Sequence, residues 1–175
     1  MFYHIRNKIS INHLRKMYYA FIYSNLIYGI EIYGNAISKP MCKRLQIEQN
    51  RVLRTILRKN RYTTIDNLHK RLSILKIGDL IEFRTLQTLY MAIKFPQYLP
   101  PPIRQIIELN PHTHNTRNKN MLKVFKGNNR YGGKMYRSNK SQIWNELPSL
   151  LQNAEVPQDF KKFYKKLKLN DYHNP

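Results

Sequence analysis

The sequence predicts a mainly α fold: a helical bundle over residues 10–108, followed by a small α+β tail over 110–170 that carries a β-hairpin. Three observations carry that expectation. Apolar residues recur at helical spacing through the first half of the chain, most clearly from Met41 to Lys59. Pro96 and Pro100-Pro101-Pro102 then end the helical pattern, because proline cannot continue a helix and restricts the residue before it. From Asn110 to Lys140 the chain turns polar, basic and rich in Asn and Gly, which places a boundary there.

Taken in order, residues 1–9 are short, mixed and basic. Ser10 or Asn12 caps a helix running to about Asn25, with Leu14, Tyr18, Phe21 and Ile22 at helical spacing. Between Leu26 and Gly34, Gly29 and Gly34 act as punctuation; a tight helix broken near Gly34 is favoured over a short strand. A helix over 38–59 follows, with Ser38 as N-cap and Pro40 in the first turn. Its expected apolar side holds Met41, Leu45, Val52 and Ile56, flanked by Leu53 and Leu57. Lys43, Arg44, Arg51, Arg54 and Arg58 fall opposite. Arg44, Arg51 and Arg58 repeat every seven residues and so form a stripe. Gln49 lies on the apolar side, where a buried amide requires a hydrogen-bond partner.

Thr63 or Thr64 starts the next helix, with Ile65, Leu68 and Leu72 inward. Gly78-Asp79 caps a helix over 79–94, and a short helix is expected at Ile103–Glu108. In the tail, Leu122–Phe125 and Lys134–Arg137 read as two strands joined by a Gly127–Gly133 loop. A short helix, Ser141–Glu146, carries Trp144 and stops at Pro148. Pro157 opens the last helix, Gln158–Leu169, with Phe160, Phe163, Tyr164 and Leu167 inward and lysines outward.

Charge narrows the function. The chain carries 31 Lys+Arg against 10 Asp+Glu, a net +21, which favours a polyanionic partner. AT-rich codon usage accounts for abundant Ile, Asn, Lys and Tyr, but not for thirteen Arg beside so few acids. The single Cys42 excludes an intrachain disulfide framework. No apolar run reaches the roughly 18–20 residues that span a bilayer, and Met1–Ser10 lacks the apolar core of a signal peptide. An intracellular protein of the nucleus or cytoplasm is expected, without a membrane partner.

Catalytic patterns are sparse. The acids form no Asp-Asp pair and no set at metal-site spacing, and there is neither a nucleophile elbow nor a phosphate-cradling glycine loop. His112, His114 and Cys42 do not supply the four spaced ligands of structural zinc. No catalytic residue, metal or cofactor is therefore expected. Nucleic-acid binding fits better, since basic residues are interleaved with aromatics and amides in Arg58-Lys59-Asn60-Arg61-Tyr62, in His114–Lys119 and in Asn129-Arg130-Tyr131. The Lys-rich last helix would also suit an anionic membrane surface, but its apolar face fits docking on Trp144 and the hairpin.

The order of motifs resembles the region after the polymerase palm in reverse transcriptases of non-LTR retrotransposons of the jockey/LINE type. The matching residues are Tyr28-Gly29, Tyr33-Gly34, Gln49-Asn50-Arg51, Thr116-Arg117 and Trp144-Asn145-Glu146-Leu147-Pro148, five motifs in order over nearly the whole chain. Asn25 and Tyr33 stand where that family often has Pro and Trp. The resemblance implies a thumb-like bundle at 10–108 that helps hold template and growing strand, and a C-terminal tail at 110–170. The palm with its catalytic aspartates, the fingers and the endonuclease have no counterpart here, so the resemblance implies a non-catalytic fragment of an RNA-directed DNA polymerase. Its expected partners are RNA–DNA duplex or RNA, bound without regard to sequence, and the palm and fingers of a parent polymerase. Arg44, Arg51, Arg54, Arg58, Arg117 and Lys119 are the expected phosphate contacts, with Tyr62 as a stacking group. The competing expectation is a stand-alone helical module that binds another protein through an apolar groove.

Overall fold

The computed structural model describes residues 2–34, 36–101, 121–124 and 136–172. Arg117, Lys119, the boundary at Asn110, the helix at Ile103–Glu108, and His112 and His114 lie outside the described residues. The described residues are mainly helical. The chain forms two compact units: Met1–Ile81 with Lys165–Pro175, and Glu82–Tyr164.

In the first unit, α1 (Phe2–Ile5) precedes α2 (Ile11–Met17), whose N-terminal Ser10 Oγ accepts from the His13 amide at 3.4 Å. The rod continues through a π-helical stretch, Tyr18–Tyr23, into α3 (Ser24–Ile27). Gly29 then turns the chain at φ 63°, a left-handed conformation that glycine adopts without a steric penalty, and α4 (Ile30–Tyr33) follows. The Leu26–Gly34 stretch is thus two short helical pieces around a glycine, and the strand alternative does not form. Gly34 answers a different demand: a Cβ there would press on the Ile30 carbonyl oxygen and lie 2.7 Å from Ile81 Cγ2, so glycine fits where a larger residue would force a shift.

The long helix α5 (Lys39–Ile56) starts where its cap predicts, with Ser38 Oγ accepting from the Met41 amide at 3.4 Å. Its buried line is Gln49, Leu53 and Ile56. Met41, expected inward, is 50% exposed, because the core side of the helix is centred nearer Leu53 than the spacing indicated. Helix α6 (Ile65–Leu72) ends at Ser73 in the left-handed region (φ 52°), and the Ile74 amide closes back on the His69 carbonyl at 3.0 Å. Leu14, Tyr18, Leu53, Ile56, Leu57, Leu68, Leu72 and Ile74 make one buried cluster. Each such aliphatic side chain contributes about 1.5–3 kcal/mol by leaving water. Helix α7 (Ile77–Lys94) begins two residues ahead of the expected Asp79.

The second unit is organised by aromatic packing. Tyr90 stacks on Phe160 at 4.6 Å, Trp144 on Phe160 at 6.3 Å, and Phe83 lies 5.2 Å from Tyr164. Trp144 belongs to α8 (Tyr136–Asn145), which leads through Pro148 to α9 (Ser149–Gln152) and then α10 (Pro157–Asp171). The expected hairpin needs correction. Tyr136 and Arg137, placed in its second strand, open α8 instead, and no strand longer than one residue forms among the described residues. The sequence from Lys134 to Leu147 contains neither Gly nor Pro, so a helix nucleated around Trp144 propagates backwards at little cost. The hairpin's loop, Phe125 of its first strand, and Lys134 and Met135 of its second lie outside the described residues. Asn145 pins the preceding segment: its Oδ1 accepts from the Leu122 amide at 2.9 Å, and its Nδ2 donates to the Leu122 carbonyl at 3.0 Å.

Candidate nucleic-acid interface

Helix α5 owes its placement to a polar network on its inner side. Gln49 is 2% exposed. Its Nε2 donates to the Tyr18 hydroxyl at 3.0 Å and to the Leu75 carbonyl at 2.9 Å, while its Oε1 accepts from Gln46 Nε2 at 2.9 Å. Gln46 also donates to Asn50 Oδ1 at 2.8 Å and accepts from the Ile77 amide at 2.8 Å. Three helices are tied together by two glutamines, and the partners that Gln49 required are identified.

His69 joins the network, with Nδ1 2.9 Å from the Ile74 carbonyl and Nε2 3.4 Å from the Gln46 Nε2 donor. Burial pushes its pKa below the ordinary 6.5, so the ring is neutral at pH 7 and Nδ1–H donates to Ile74. Burial also raises the Tyr18 hydroxyl to about 12, which keeps it a neutral partner for Gln49. Within the first unit, the Tyr172 hydroxyl donates to Asp79 and accepts from the Lys76 amide at 3.0 Å, with Lys76 Nζ 4.3 Å above its ring. Burial raises its pKa, and the Asp79 contact adds to the effect.

With Gln49 and Asn50 turned inward, the charged side chains of α5 project outward. Lys43 and Arg44 are exposed. Arg51 is exposed too and pairs with Glu48 at 2.7 Å, both side chains about two-thirds accessible. Such a pair is screened by solvent and holds Arg51 only weakly. Arg44 and Arg51 line a shallow groove of about 450 Å³ with Met41, Leu45, Ile47 and the acidic Glu48. Arg54 is half-buried, and its Nε has no hydrogen-bond partner.

Arg58 departs from the stripe. The helix ends at Ile56, and Arg58 adopts a left-handed backbone at φ 53°. Its Nη2 donates to the Arg6 carbonyl at 2.7 Å and to the Ile9 carbonyl at 3.3 Å, and its Nε reaches Arg6 at 3.1 Å. Those bonds tether the N-terminal segment, so Arg58 has a structural task that the seven-residue spacing concealed. Tyr62 is 78% exposed on the α5–α6 connection; Arg61 lies 4.9 Å over its ring and donates to its hydroxyl at 2.7 Å.

The stripe therefore reduces to Arg44 and Arg51, joined on the exposed face by Lys43 and on the turn by Lys59, Arg61 and Tyr62. Two further arginines that spacing did not single out, Arg15 and Arg71, line a depression with Arg58. They lie 56 residues apart in sequence, so only the folded chain brings them together. Among the described residues no cluster of three or more His, Cys, Asp or Glu stands ready to hold a metal ion, and no helix is long and apolar enough to cross a membrane. No protein-family model, curated protein or solved structure matches this chain.

Proposed function

We propose that the chain binds nucleic acid without catalysing a reaction, gripping the phosphate backbone of an RNA–DNA duplex or RNA in the manner of the thumb and tail of a jockey/LINE-type reverse transcriptase. One observation carries the reading: from Lys39 to Tyr62 eight Lys and Arg stand against the single acid Glu48, and Lys43, Arg44, Arg51, Lys59 and Arg61 are exposed there beside exposed Tyr62. Guanidinium and ammonium groups satisfy phosphates irrespective of base sequence, and an exposed tyrosine offers a face on which a base can stack. Gln49 and Asn50 hold the helix that presents these groups, which gives the glutamine-asparagine-arginine motif a division of labour between anchoring and contact. The part played by Arg117 and Lys119 in this reading rests on the sequence, through the basic His114–Lys119 stretch and the resemblance.

The test is fluorescence anisotropy with a labelled RNA–DNA duplex over a salt series. Affinity is expected to fall steeply with salt and to be indifferent to sequence. Replacing Arg44 and Arg51 by Ala should weaken every duplex alike and shrink the salt slope by about 1 per lost phosphate contact. Binding that is flat in salt overturns the proposal. A salt-insensitive complex with a protein, without any shift on nucleic acid, points to the interaction-module alternative instead.

A further inference from the structure

A basic depression of about 490 Å³ opens in the first unit between the start of α2, the end of α5 and the end of α6. Arg15, Arg58 and Arg71 line it, Ser10 and Asn12 add polar groups, and no acidic residue contributes. Buried Leu57 and Leu72 form its apolar floor.

We infer that this depression is a phosphate site, separate from the exposed face of α5, and that it receives a backbone phosphate of the bound strand. The inference rests on the proposed nucleic-acid reading for the source of that phosphate, but not for the site itself. Three guanidinium groups around one cavity without an acid repel one another, and an anion between them relieves that repulsion. Arg15 Nε is buried without a hydrogen-bond partner, a donor already stripped of water. A planar guanidinium donates two parallel N–H groups to phosphate oxygens, which suits it to this task. Arg58 spends Nε and Nη2 on the Arg6 and Ile9 carbonyls, so its position is held in advance and its Nη1 is outside those bonds. The neighbouring turn carries Lys59 and Arg61 onward from Arg58, giving a strand further cationic support.

The experiment uses the whole chain with two probes, a labelled RNA–DNA duplex and inorganic pyrophosphate, on the native protein, on Arg15→Gln/Arg71→Gln and on Arg71→Gln alone. Arg71 is exposed, so the single variant keeps the fold even where the double variant unfolds. The expected result is that pyrophosphate shifts the amide resonances of residues 10–15 and 71–72, and that the variants lose this response. The duplex salt slope should fall by about 1 per arginine removed. If the native chain binds duplex with a slope that neither variant changes, and pyrophosphate leaves those amides unmoved, the site is refuted while the nucleic-acid reading stands. If pyrophosphate binds there but duplex does not, the site holds for a free phosphate compound and the nucleic-acid reading falls. If neither probe binds, both are overturned.

Discussion

Gln49 Nε2 donates to the Tyr18 hydroxyl at 3.0 Å, joining α5 to the first helical rod across 31 residues of chain. Both side chains are buried, and the same Nε2 also serves the Leu75 carbonyl. Replacing Gln49 by Leu removes a donor from that carbonyl and a partner from both Tyr18 and Gln46. Unsatisfied buried polar groups cost about 1–3 kcal/mol, so Gln49→Leu should lower the denaturant midpoint with an unchanged slope. Tyr18→Phe, which removes only the hydroxyl, should cost less. Equal stability of native chain and Gln49→Leu would contradict the anchoring role.

His69 makes stability depend on pH. Its folded pKa lies below the unfolded 6.5, so between those two values the unfolded chain binds the extra proton. Its contribution is therefore complete above about pH 6.5 and is lost as pH falls towards the folded value. Burial is the largest cause and Lys76 acts with it, while the hydrogen bond to the Ile74 carbonyl, Asp66 and Asp79 oppose it without reversing the direction. Urea midpoints should decline from pH 7 to pH 5, and His69→Gln should flatten that decline. Parallel curves for the two chains would exclude His69 as the source.

Ser73 sits at φ 52° after α6, a conformation that a residue with a Cβ adopts only at a cost. Ser73→Gly relieves this strain and should raise stability by about 0.5–1 kcal/mol, read as a higher thermal midpoint. The opposite sign is expected at Gly34. Gly34→Ala presses a methyl group onto the Ile30 carbonyl oxygen and to 2.7 Å from Ile81 Cγ2, and the forced shift should cost about 1–3 kcal/mol in the same measurement.

Arg58 and Arg51 should separate in their effects. Arg58→Ala frees the Arg6 and Ile9 carbonyls, so amides in residues 2–9 should exchange faster with solvent and the chain should lose about 0.5–1.5 kcal/mol. Arg51→Ala breaks only an exposed pair with Glu48 and should leave the thermal midpoint nearly unchanged. Equal destabilisation by the two changes would deny Arg58 its tethering role.

Much of the fold could be read along the chain. Ser10 and Ser38 cap the helices that their spacing announces, Thr64 precedes α6, and Pro157 opens the last helix, because caps and helical periodicity act within a few residues. The basic outer face of α5 was legible for the same reason. Other features depend on residues far apart in sequence. The helix stops at Ile56, and the guanidinium of Arg58 is then held by carbonyls 49 and 52 residues away. Gln49 found its partners in Tyr18 and Leu75, and Arg15 and Arg71 came to line one depression. Periodicity assigns a side chain to a face of its own helix. What stands opposite that face depends on the path of the chain through space, and there Arg58 became a tether while Arg15 and Arg71 became walls of one cavity.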